Sequence, residues 1–253
     1  MIVIGLDGAT WDVIKPNIGS LPAFGELLGR YKHSVLECDV RPVHSAPSWT
    51  TIFSGLTPEQ HGVRDFVMDR AARDELLSRK IFIWQKVRRA IVMGVPIALP
   101  PLNHNYELRD WESVVLAVKE EEMFRGTKKL LGDTIAAIEY GGANLVAVVF
   151  SEPDRAQHIF WGDNLALLEH YKSVDAALGK LMPYFAKEDF LILSDHGFTD
   201  AQETKRMGWD NVRENQAGGH HPAGIAISNR EPPRKVSEVF GFMMGAMEGG
   251  GDG

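Results

Sequence analysis

Five short apolar runs constrain most what this chain can fold into: Ile2–Leu6 (IVIGL), Ser34–Cys38 (SVLEC), Ala90–Val95 (AIVMGV), Leu145–Phe150 (LVAVVF) and Phe190–Leu193 (FLIL). Most are continuous rather than alternating, so their strands must be covered on both faces, as in a parallel sheet. Ala223–Ser228 (AGIAIS) is a further candidate strand. Helical patterns lie between the runs. The clearest spans 165–185, with Leu168, Tyr171, Val174, Leu178, Leu181, Met182 and Phe185 spaced by threes and fours. Strands alternating with helices predict an α/β fold, with a mostly parallel central sheet flanked by helices on both faces.

At 253 residues the chain can bury one substantial core, and a single domain over 1–253 is expected. The span 64–144 is less periodic. IFIWQKVRR suggests a helix there, and PPLNHNYELRDW is rich in turn residues, so this span is expected to hold a small cap. The glycine-rich end, 248–253, is expected to be disordered.

The charge balance, 27 − 34 = −7, argues against a nucleic-acid polymer or an anionic membrane as partner, because both attract basic faces. It permits a small phosphorylated substrate, since bound cations can reverse the sign inside a site. Cys38 is the only cysteine, which excludes an internal disulfide and a thiolate metal site, and a buried thiol is expected. The N-terminus lacks a basic region and meets Asp7 early, so it reads as a core strand rather than a signal peptide. No apolar run approaches the ~20 residues needed to cross a bilayer. These features predict a cytoplasmic protein, and nothing in them specifies an oligomeric state.

The polar residues fall where chemistry is expected. Asp7 follows the first run directly, Asp154 follows the Leu145–Phe150 run closely, and Asp195 and His196 follow Phe190–Leu193 after one serine. In open α/β sheets, ligands bind beyond the carboxyl ends of the strands. Three strands therefore deliver carboxylates to one edge, where mutual repulsion calls for a cation. Asp154 and His158, four residues apart, share one helical face. His220 or His221 on the glycine-rich QAGGHHPAG segment adds an imidazole. Nitrogen and oxygen donors suit Zn, Mn or Fe. Singly, each residue has a plain alternative: an aspartate at a strand end is commonly a helix cap, and a lone histidine a satisfied polar group. The joint pattern argues for two metals. Ser45 precedes a helical pattern with proline near its first turn, where free N–H groups and the dipole favour phosphate. Alone it would be read as an N-cap.

LDGAT, HSAPSWTTIFSGLTPEQHG, EPDRAQH, SDHGF and GGHHPAG occur in the order seen in type I phosphodiesterase/nucleotide pyrophosphatase proteins of the alkaline phosphatase superfamily, and the chain resembles them over about 1–63 and 145–228. The resemblance implies an alkaline phosphatase-like fold and phosphate mono- or diester hydrolysis at two divalent metals, most simply zinc. One metal would be held by Asp154, His158 and His220, and the other by Asp7, Asp195 and His196, with Ser45 completing it as nucleophile. The motif favours His220 over His221. A covalent phosphoseryl intermediate is implied. Many nucleotide-cleaving relatives instead use threonine as nucleophile and an asparagine near the position of Phe66, which weakens a nucleotide pyrophosphatase assignment. His44, Ser48 or Arg64 are candidates to contact phosphate instead. The competing expectation is a metal-binding protein that kept the fold without catalysis. A sulfatase lacks its C/S-x-P-x-R context here, a phosphoglycerate mutase would need a larger second domain, a dinucleotide-binding turn lacks G-x-G-x-x-G, and a haloacid dehalogenase-type phosphatase would need an aspartate where Ala9 stands.

Overall fold

The computed structural model describes residues 1–66, 70–96, 106–109, 120–212 and 216–248. Nine strands are described: β1 (Ile2–Leu6), β2 (Lys32–Glu37), β3 (Ala90–Met93), β4 (Tyr106–Arg109), β5 (Leu145–Phe150), β6 (Phe190–Leu193), β7 (Gly197–Asp200), β8 (Gly218–His221) and β9 (Ala223–Ser228). Seven form one sheet in the order β2-β9-β6-β1-β5-β3-β4, and β7 pairs with β8 in a separate ribbon. β1 lies at the centre, parallel to both β5 and β6. Only β9 runs against the others, antiparallel to β6 and to β2.

Alternation along β1 sorts the core into two layers. Ile2, Ile4 and Leu6 face Phe24, Leu27, Leu130 and Leu178, on the helices Pro22–Arg30, Glu120–Tyr140 and Asn164–Phe185. Val3 faces the opposite layer, which contains Trp49 and Phe53 of the Ser45–Ser54 helix and Met243 of the Val239–Glu248 helix. Each such fully buried side chain contributes roughly 1.5–3 kcal/mol of transfer free energy. Helices therefore cover both faces of a mostly parallel sheet, as the apolar runs predict.

Two local expectations are corrected. The Ser34–Cys38 run forms an edge strand, β2, rather than a fully buried parallel one. Only Leu36 of that strand is buried, and Val35 is half exposed, because β9 flanks it on one side alone. IFIWQKVRR is not a helix but contains a single 3₁₀ turn, Ile83–Gln85. Phe82 and Trp84 stack there at 4.6 Å and are buried in the second layer, so tertiary burial overrides the helical pattern. The span 64–144 contributes β3, β4 and the long Glu120–Tyr140 helix to the main sheet and its covering layer. Residues 97–105 and 110–119, where much of a cap was expected, lie outside the described residues, as do 249–253 of the expected disordered end; Glu248 closes the last helix.

Candidate active site

Residues 7, 154 and 195–196 lie just beyond the carboxyl ends of β1, β5 and β6, three adjacent strands of the sheet. The turn after Asp7 needs a left-handed residue, supplied by Gly8 at φ 66°. A Cβ there would also come within 3.2 Å of Asp154, so the glycine lets the two carboxylates approach. The Gly8 N–H donates to Asp195 Oδ1 at 3.4 Å, and its carbonyl accepts from Gln157 at 2.9 Å. The Glu152–Phe160 helix carries Asp154 and His158 on one face, with Nε2 of His158 3.5 Å from Oδ1 of Asp154.

The last imidazole arrives by strand pairing. β7 and β8 are antiparallel with Phe198 opposite His220, which brings His220 beside His196, their rings 4.0 Å apart. The GGHH segment is thus a strand and not a loop. Its glycines serve close packing: a Cβ on Gly219 would stand 2.5 Å from Thr204 Oγ1. His220 Nε2 lies 3.4 Å from Asp154 Oδ1 and 3.2 Å from His158 Nε2. His221 instead packs edge-on against Trp209 and accepts the Ala223 N–H through Nδ1.

Ser45 is the first residue of its helix, one place later than the sequence suggested. His44 is the N-cap, and its Nδ1 accepts from Ala46 N at 3.2 Å. With Pro47 lacking an N–H, the helix N-terminus has fewer free donors for phosphate than the motif promised. The Ser45 hydroxyl donates to Asp7 Oδ1 at 3.0 Å and lies 3.1 Å from His196 Nε2. Ser48 is not at this surface: it is fully buried, with Oγ 3.4 Å from the equally buried Cys38 Sγ. His44, Ser45, Arg64 and Phe66 help line a cavity of about 390 Å³, to which Asp154, His158 and His220 also contribute. Phe66 stands 4.8 Å from the His44 ring. Arg64 is tied to Glu59 at 3.1 Å.

The electrostatics are those of a crowded, buried cluster of charged groups. Burial raises the Asp7 carboxyl well above its ordinary value, with Asp195 and Asp154 adding repulsion. Burial pushes Asp195 up to about 7, and the charge of Asp154 adds to it. Burial would also raise Asp154, but His158 and His220 outweigh it and hold that carboxyl below its usual range. His196 is pushed well below the ordinary histidine value by burial. Burial would lower His220 as well, yet Asp154 and Asp210 overcome it and lift the imidazole to about 10.

Do these residues fit metal ions? Asp154 Oδ1 and Asp195 Oδ2 are buried without a hydrogen-bond partner. Each histidine turns Nδ1 to a backbone carbonyl: His158 to Gly218 at 3.3 Å, His196 to Gly197 at 3.0 Å and His220 to Val43 at 2.7 Å. That arrangement leaves Nε2 facing the centre, the usual preparation of a ligating imidazole. Two donor groups close tightly, Asp7–Asp195–His196 and Asp154–His196–His220. His196 joins both, and His158 stands at the edge of the second. The donor set fits divalent cations.

A mostly parallel α/β sheet that gathers aspartates and histidines around a serine beyond its strand ends defines an alkaline phosphatase-like phosphoester hydrolase. The chain belongs to the type I phosphodiesterase / nucleotide pyrophosphatase family, which it matches over residues 1–247. Its fold is similar to murine ectonucleotide pyrophosphatase / phosphodiesterase 5 in complex with AMP, at TM-score 0.66 and 13% identity over 98% of this chain and 94% of that one. It is also similar to phosphonoacetate hydrolase from Sinorhizobium meliloti 1021 in complex with phosphonoformate, at TM-score 0.67 and 13% identity over 97% and 95%. TAB5 alkaline phosphatase shares the fold at TM-score 0.56 and 13% identity over 98% and 97%. No curated protein matches the chain in sequence. No described helix is long and apolar enough to cross a membrane.

Asp210 is the neighbour that sequence patterning missed. It follows a short helix rather than a strand end, so no positional signal marks it.

Proposed function

We propose that this chain hydrolyses phosphate mono- or diesters of small molecules at a two-metal site, with Ser45 Oγ as nucleophile and a phosphoseryl intermediate. The observation that carries the proposal is the convergence of three imidazole Nε2 atoms and two unpartnered buried carboxylate oxygens around a serine hydroxyl. Asp154, His158 and His220 would hold one ion, and Asp7, Asp195 and His196 the other, beside Ser45. Donors that are all nitrogen and oxygen favour zinc, with manganese or iron as alternatives. Bound divalent ions supply positive charge that lowers the serine hydroxyl's pKa and stabilises charge on phosphoryl oxygens.

The chain's own groups do the rest. Asp7 Oδ1 and His196 Nε2 orient Ser45 Oγ by hydrogen bonds at 3.0 and 3.1 Å. Ser45 Oγ forms a bond to phosphorus as the ester P–O bond breaks, and the leaving alcohol departs with a proton. Water then adds to phosphorus, the Oγ–P bond breaks, and phosphate or its monoester is released with the serine restored. The tilted rings of His44 and Phe66 line the cavity with Ser45, and Arg64 adds a guanidinium to the lining. The buried thiol of Cys38, pushed up to about 12 by burial, forms no disulfide and suits a cytoplasmic setting.

The test is metal analysis of the purified protein together with hydrolysis of p-nitrophenyl phosphate, its bis ester and a nucleotide ester. About two ions per chain and turnover of at least one ester support the proposal. Two ions with no turnover of any ester would favour a binding protein that kept the fold.

A further inference from the structure

We infer that Asp210 is a positioning residue for His220 and sets how tightly the Asp154–His158–His220 group holds its cation. This rests on the two-metal proposal above. Asp210 Oδ2 lies 2.8 Å from His220 Nδ1, and its side chain is only 9% exposed. The same nitrogen faces the Val43 carbonyl at 2.7 Å, so one N–H is shared between two acceptors. That pair fixes the ring's rotation and its tautomer, and Nε2 is left facing Asp154 Oδ1 at 3.4 Å and His158 Nε2 at 3.2 Å.

His220 differs from the other two histidines. His158 Nδ1 meets the Gly218 carbonyl at 3.3 Å and the Gln216 side-chain amide at 2.9 Å, and His196 Nδ1 meets the Gly197 carbonyl at 3.0 Å, all neutral groups. His220 faces a carboxylate in addition. A carboxylate behind an imidazole fixes its orientation and makes its far nitrogen a stronger donor to a cation.

The backbone holds Asp210 in register for this. The Val43 N–H donates to the Trp209 carbonyl at 2.8 Å, one residue from Asp210, while the Val43 carbonyl accepts from His220. The Trp209 ring packs against His221 at 4.7 Å. One residue, Val43, therefore links the segment carrying Asp210 to the strand carrying His220, two positions ahead of Ser45. Asp210 also lines the cavity wall, but its carboxylate is engaged with the histidine.

The experiment compares the metal-loaded parent with Asp210→Ala, Asp210→Asn and Asp210→Glu. It measures metal content, the chelator concentration that removes half the metal, and the visible spectrum after cobalt substitution. Asp210→Ala is expected to release one ion about 10–100-fold more readily and to shift the cobalt spectrum. Asp210→Asn keeps an acceptor for Nδ1 but not the charge, so its loss is intermediate, and Asp210→Glu restores part of the affinity. Should the alanine variant fail to fold, the isosteric asparagine variant decides. Parent-like chelator midpoints and cobalt spectra in the alanine and asparagine variants overturn the inference and leave the two-metal proposal standing. A parent that binds no metal overturns both.

Discussion

The Ser45 hydroxyl donates to Asp7 Oδ1 across 3.0 Å, although 38 positions separate the two residues in the chain. Asp7 belongs to the end of the central strand and Ser45 to the start of a helix on one face of the sheet. The candidate nucleophile is thereby tied to the end of the central strand, which is paired on both sides.

Ser45→Ala removes the proposed attacking oxygen and leaves the aspartate–histidine set in place. Turnover of p-nitrophenyl esters should fall by at least about 10³-fold, as when other hydrolases lose their nucleophile. Metal content, read by plasma emission, should stay near the parent value. Activity that persists at the parent level would remove Ser45 from the mechanism.

Metal-free protein should lose stability as pH rises above about 6.5. Folded His220, raised to about 10, keeps a proton that its unfolded counterpart releases near 6.5, while Asp195, raised to about 7, adds to the same trend only up to about pH 7. Where the folded state binds extra protons, stability falls with rising pH. Below that window His196, kept neutral by burial, acts in the opposite sense. In chelator, Tm should drop between about pH 6.5 and 9 by about 3–5 °C per pH unit for each extra proton. The metal-saturated protein should lack this slope because cations then neutralise the carboxylates. A chelated sample with a flat or rising Tm would contradict the charge-cluster account.

Asp195→Asn should change stability in opposite directions with and without metal. The amide keeps an oxygen for the Gly8 N–H but removes one of three crowded carboxylates. In chelator the variant is expected to melt about 2–4 °C above the parent, corresponding to about 1 kcal/mol of relieved repulsion. With metal added it should melt below the parent, having lost a ligand. Calorimetry under both conditions checks the reversal, and a variant less stable in both would count against it.

Gly5→Ala tests how the sheet supports the nucleophile's helix. An added Cβ would stand 2.5 Å from the Trp49 ring and 2.7 Å from Val149. Both neighbours are fully buried, so neither can move freely. Overpacking of this kind costs about 1–3 kcal/mol, or roughly 2–4 °C in Tm per kcal/mol. Because Trp49 rides on the Ser45–Ser54 helix, turnover should fall as well, by kcat more than by metal content. An unchanged melting curve would show that the layer yields at no cost.

Much of the fold was legible because its central strands are unbroken apolar runs, which only burial on both faces can satisfy. Asp7, Asp154, Asp195 and His196 were legible for a related reason: each follows such a run, and strand ends of one sheet share an edge. β2 was misjudged as buried because an apolar run does not state how many neighbours its strand will have. Ser48 is a phosphate-contact candidate in the sequence, but in the structure its buried hydroxyl turns to Cys38. Asp210 carried no signal at all, since its role depends on a contact with the far side of a ring.

The residue types of the site and their places at strand ends were determined by the sequence by itself, because hydrophobic patterning decides which segments become central strands. The family motif favours His220 over His221, and the tertiary structure supplies the physical reason. The pairing of β7 with β8 turns His220 inward and leaves His221 against Trp209. Tertiary structure alone decided that Ser45, Asp7 and His196 meet within hydrogen-bonding distance. That depends on how closely Trp49 can approach Gly5, a matter of packing between layers that no local pattern encodes.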